Sequence, residues 1–181
     1  MRESAISLSA AKSMLENEEG LNYVRVGWTP LGPGGSAKLC IALPPGVRRK
    51  PNLSGFEEDE AGRILVYEPN VADEIVLEIY SDDPVPCGPA TIVAEMAYEK
   101  PGQPAIAIVG TIEIEIAPEG DMDDLVVNPE VADLAAFLSR TTASRLIVDA
   151  CLDPRTGRRS HAPLERGSDA NRNAVGQTAL F

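Results

Sequence analysis

The chain has few aromatic side chains, a single histidine, three cysteines and no long apolar run, and each shortage excludes something. Aromatic residues make up 4% of the 181 positions while apolar residues make up 44%, so a core must be built mainly from Ile, Val, Leu and Ala. That mixture favours strands over a mostly helical bundle. His161 is the lone histidine, which excludes two-histidine metal motifs and leaves any Ser-His-Asp or Cys-His arrangement hanging on one C-terminal residue. Cys40, Cys87 and Cys151 are odd in number, widely spaced and free of any Cys-x-x-Cys pair. They read as buried small apolar side chains and not as a disulfide framework. No stretch approaches the ~18 consecutive apolar residues of a membrane span. Met1 to Gly20 has neither a basic start nor an apolar block, so no secretory signal is expected, and the expected location is a cytosol.

What is present is punctuation. Gly and Pro number 15 each and fall between short apolar runs, the pattern of a sheet with many turns. Leu8, Ala11 and Leu15 stand at helical spacing after Ser7, which predicts a short helix over Ser7 to Glu19 serving as an arm. The period then becomes two. Val24, Val26 and Trp28 alternate with Tyr23, Arg25 and Gly27; after Gly32-Pro33-Gly34-Gly35, Leu39, Ile41 and Leu43 alternate with Lys38, Cys40 and Ala42, and the two runs are expected to pair as a hairpin. Gly46 to Gly62, with Arg48-Arg49-Lys50 and Glu57-Glu58-Asp59-Glu60, reads as a solvated loop. Further strands are expected over Arg63 to Tyr67, Glu74 to Tyr80, Ala90 to Glu99 and Ala105 to Ile116, with the middle two paired across Ser81 to Pro89. Asn128 and Pro129 open a helix with Val131, Leu134, Ala135 and Leu138 on its apolar stripe, and Arg145 to Ala150 is expected to add a late strand.

These elements predict a mainly β fold, an antiparallel β-sandwich or jelly roll of about eight short strands with one or two short helices. Residues 1–20 form the arm, 21–150 the sandwich and 151–181 a polar Arg-bearing tail.

Little of this pattern carries covalent chemistry, and the expectation is a protein that is not an enzyme. Gly32 to Lys38 joins two strands and lacks the Lys-Ser/Thr end of a phosphate loop. Glu113 and Glu115 lie on one strand face, where a charged row discourages edge-to-edge aggregation. Asp121, Asp123 and Asp124, beside Glu119, are candidate oxygens for a Ca²⁺ ion completed by a neighbouring subunit, because calcium takes six to eight such ligands. The net charge of −12 is uneven: Ser139 to Phe181 holds seven Arg against four acids, 7 − 4 = +3, leaving −15 on the remainder. Arg140, Arg145, Arg155, Arg158 and Arg159 are therefore the candidate phosphate contacts to nucleic acid.

The stretch Val24-Arg25-Val26-Gly27-Trp28-Thr29-Pro30-Leu31-Gly32-Pro33, its glycine turn, and Ala37-Lys38-Leu39-Cys40-Ile41-Ala42-Leu43 resemble a hairpin of small RNA virus jelly rolls. Ile75 to Tyr80, Ser81 to Pro89 and Ala90 to Lys100 resemble the closing hairpin of bromovirus-type coat proteins. Both stretches are also similar to the core of the plant virus thirty-kilodalton movement protein superfamily, except that Leu43-Pro44-Pro45 stands where that family has an acidic residue. The resemblance implies a virion coat or decoration protein that self-assembles as a homo-oligomer or docks on another structural protein, without a membrane. The alternatives are a movement-type nucleic-acid transport factor and a cellular β-sandwich interaction module. A virion or the host cytoplasm is the implied location.

Overall fold

A computed structural model of the chain describes residues 5–151, with side chains described to Thr141. Nine strands build two sheets: β1 (Ile6–Ala10), β2 (Met14–Glu16), β3 (Leu21–Trp28), β4 (Ser36–Ala42), β5 (Arg48–Arg49), β6 (Ile64–Val66), β7 (Asp73–Tyr80), β8 (Gly88–Glu99) and β9 (Ile106–Ala117). A 3-10 turn spans Glu119–Asp121 and one helix, α1, spans Pro129–Cys151. One sheet runs β1-β3-β7-β5 and the other β2-β9-β8-β4-β6. The sandwich alternative of the expected fold is the one formed.

By position in the two layers, β1-β3-β7-β5 and β9-β8-β4 follow the A-B-E-D and G-F-C orders of an immunoglobulin-type sandwich. The likeness is one of strand order. Every pairing is antiparallel except β2 with β9, which run parallel. The first stretch of chain is thus split between the layers, β1 on one sheet and β2 on the other.

Alternation decides which side chains enter the core. Val24 and Val26 of β3, Ile75, Leu77 and Ile79 of β7, Leu39 of β4, and Ile92, Ala94 and Met96 of β8 are all buried in one cluster between the sheets. Trp28 packs edge-on against Phe56, ring centroids 5.8 Å apart.

Several expectations are corrected. Ser7 to Glu19 is not a helix: Ile6, Leu8 and Ala10 alternate along β1, which pairs with β3, and the helical spacing of Leu8, Ala11 and Leu15 lost to that two-residue period. The sandwich therefore begins at Ile6 and not at residue 21. Neither expected hairpin forms. β3 pairs with β7 and β4 with β8, so both connections cross from one sheet to the other. The first crossing is set by Pro30 and Pro33, which have no N–H for a ladder, and by Gly35. At Gly35 φ is +143° and an added Cβ would lie 2.5 Å from the Glu99 carbonyl oxygen. The second crossing is pinned by buried Ser81, whose Oγ accepts from Gly20 N–H at 3.0 Å and donates to the Glu16 carbonyl at 2.9 Å.

Gly46 to Gly62 is not a solvated excursion. β5 adds to the edge of β7, and Arg49 grips Glu58 with both guanidinium nitrogens, at 2.9 and 3.1 Å. The late strand over Arg145 to Ala150 is absent because α1 continues through it to Cys151. Asn128 Oδ1 accepts from Glu130 N–H at 3.2 Å at the start of that helix, as its position before Pro129 predicts. Cys40 and Cys87 are exposed, since Cys40 falls on the outward parity of β4 and Cys87 in a crossing loop. The side chain of Cys151 and the tail from 152 onward lie outside the described residues.

Candidate docking face

The two outer faces of the sandwich differ. Across the four-stranded sheet lies α1, with Val131 and Ala135 fully buried and Glu130 4.0 Å from Arg25. The segment after β5 continues along the edge of β7: Leu53 N–H donates to the Val76 carbonyl at 2.9 Å, and Val76 N–H donates to Ser54 Oγ at 3.1 Å. Charges there are answered within the chain. Lys50 sits 2.5 Å from Glu78, a hydrogen bond and charge that raise the lysine pKa. Burial, followed by the charge of Glu78, raises that of Tyr23. Away from that face, Glu58 bridges to Ile64 of β6; burial would raise its pKa, but its bonds from Arg49 and Asn52 outweigh it and hold that carboxyl below the ordinary value. The Arg63 backbone N–H does most to lower Asp59.

Among the described residues, nothing comparable covers the outer face of the five-stranded sheet. Register aligns its outward side chains in rows. Lys38, Ala97 and Ala107 form one; Cys40, Glu95 and Val109 the next; Ala42, Val93 and Thr111 the third. Continuing along β8 and β9, Thr91 stands opposite Glu113 and Pro89 opposite Glu115. The first three rows are short side chains on a sheet, with Val109 55% exposed. Lys38 and Glu95 are their only charged members, on adjacent strands and diagonal to each other. Neither has an ion-pair partner among the described residues.

Beside this face, a groove of about 460 Å³ runs between Pro44-Pro45 and Val85-Pro86, with Cys87 in its lining. Its walls are proline and aliphatic, and no group of three His, Cys, Asp or Glu converges anywhere among the described residues. Asp121, Asp123 and Asp124 accordingly do not form a chelate within the chain; they follow one another along an exposed turn. Glu113 and Glu115 point outward, as expected. Arg140 lies on α1 with Nε donating to the Ala136 carbonyl at 3.0 Å. Arg145 lies further along α1, its side chain outside the described residues, as are Arg155, Arg158, Arg159 and His161. Among the described residues the acidic set forms no chelate, and register brings together instead a row pattern on the five-stranded sheet. Its signal was there: Ala42, Val93, Ala97, Ala107, Val109 and Thr111 all occupy outward parity, where a wetted strand carries charge.

No protein-family model matches the chain, and no curated sequence matches it.

Proposed function

We propose that this chain is a docking module, a β-sandwich that works by laying the outer face of β4, β8 and β9 against another protein within a larger assembly. The observation that carries the reading is the contrast between the two outer faces. One carries a helix and has its charges paired, while the other, among the described residues, presents three rows of short, largely uncharged side chains. Larger exposed apolar patches rimmed by polar groups mark interaction sites. Here Glu113 and Glu115 supply one rim. A virion shell, with this chain as coat or decoration subunit, is one assembly that such a face would serve.

The test is contact in the cells that make the protein. A photo-crosslinking amino acid placed at Ala97, in the middle of the bare face, is expected to yield a discrete protein adduct. The same group at Asp133, exposed on α1, is expected to yield none. Adducts from position 133 alone, or from neither position, would overturn the reading.

A further inference from the structure

We infer that the surface received by this face is a second copy of the same face, the two packed about a two-fold axis along the diagonal from Cys40 to Ala97. The inference rests on the docking reading and supplies its partner. A chain carrying −12 repels its own copies, so two copies meet at least cost where local charge cancels. The three rows are such a place: one Lys and one Glu sum to zero, and their other members are Ala, Cys, Val and Thr, with Glu99 one row beyond Ala97.

The positions of those two charges fix the geometry. A two-fold contact is isologous, so a group on one side of the axis meets its complement from the other copy only when the two lie symmetrically about that axis. Lys38 faces Ala97 in register and Cys40 faces Glu95, so Lys38 and Glu95 occupy opposite corners of one four-residue cell. The cell is roughly 7 Å along the strands and about 5 Å across them. An axis along its other diagonal brings each Lys38 over the partner copy's glutamate at 95, twice per dimer. The two sets of strands then cross near a right angle, one of the two ways in which sheets pack. Cys40 and Ala97 lie on the axis and face their own counterparts, and both are small enough to let the sheets close.

Sedimentation of the purified full chain from micromolar concentrations upward is expected to show a dimer. With Cys87→Ser and Cys151→Ser leaving Cys40 as the sole thiol, mild oxidation or a short bis-maleimide is expected to trap that dimer covalently. Lys38→Glu and Glu95→Lys, each placing like charges opposite one another, are each expected to weaken dimerisation by at least ~10-fold. Both changes together restore it, and the far-ultraviolet spectrum of every variant stays that of the parent because the two positions are on the surface. A monomer at every concentration overturns the inference. So does a dimer that Cys40 cannot trap and the charge swap does not rescue. If the purified chain is monomeric while Ala97 still crosslinks to a different protein in cells, the second-copy inference falls and the docking reading stands. If Ala97 gives no adduct at all, both fall.

Discussion

The carboxamide of Asn22 holds both backbone groups of Lys12, accepting from its N–H at 2.9 Å and donating to its carbonyl at 2.8 Å. The same side chain accepts from Tyr23 N–H at 2.8 Å and donates to the Met14 carbonyl at 3.3 Å. Asn22 is fully buried, and Lys12 is where the chain leaves β1 in one sheet for β2 in the other. A backbone that changes layers loses its ladder partners for a few residues, and buried polar groups must then be satisfied by something else. Asn22 is that replacement.

Asn22→Ala should therefore destabilise the fold by about 1–3 kcal/mol, the cost of leaving buried backbone groups unpaired. Asn22→Asp should do comparable harm, because a carboxylate cannot donate to the carbonyls of Lys12 and Met14. Urea unfolding checks both: the midpoint falls while the slope stays that of the parent.

Acid should expose the part played by Glu58. Its pKa is lower in the folded chain than the ordinary value of 4.5, so unfolding takes up a proton. The associated stability is complete above that ordinary value and drains away as the pH drops through the folded one. Asp59, lowered from 3.8, contributes to the same acid limb. Thermal melts from pH ~7 down to pH ~3 should show a shallower acid decline in Glu58→Gln than in the parent. At neutral pH that variant should lose about 1.5–3 kcal/mol, the range for hydrogen bonds to a charged group.

Trp28 is the single tryptophan and only 4% exposed, with its ring at 75° to Phe56. Phe56→Leu keeps an apolar side chain and removes the edge-to-face contact, so the expected loss is about 0.5–1.5 kcal/mol. Tryptophan fluorescence reads the outcome. The unfolding midpoint moves down while the native emission stays at the short wavelengths of a buried indole.

Gly110 of β9 lies close against β1. A Cβ there would lie 2.8 Å from Leu8 Cδ1 and 3.0 Å from the Ile6 carbonyl oxygen. Gly110→Ala should force β1 outward at a cost of about 1–3 kcal/mol, typical of overpacking. Hydrogen exchange should quicken across Ile6–Ala10 and remain slow in β7 and β8.

Much of the layer structure was legible before any coordinates. Alternation puts Val24, Val26 and Trp28 on one side of their run, and all three are buried. A two-residue period states which face a side chain takes; it does not state which strand lies alongside. That is why β3 and β4, neighbours in sequence across a glycine turn, were read as a hairpin although they belong to different sheets. Segments of mixed small residues were the least legible. Ile6 to Leu15 fits both periods, and Leu146-Ile147-Val148 has the composition of a strand yet lies within α1. The face of β4, β8 and β9 is not legible in sequence for a related reason: an alanine at an outward position means nothing until the three strands are known to be adjacent.

The division of the opening segment between layers has one more consequence. β1 caps the rim of one sheet, β2 shields the terminal stretch of β9 in the other, and Lys12 between them is the stitch. Trimming the chain to begin near Leu21 would unfasten both rims in one cut, exposing naked strand borders that recruit neighbouring chains. A shortened protein should emerge as insoluble material and not as a smaller domain.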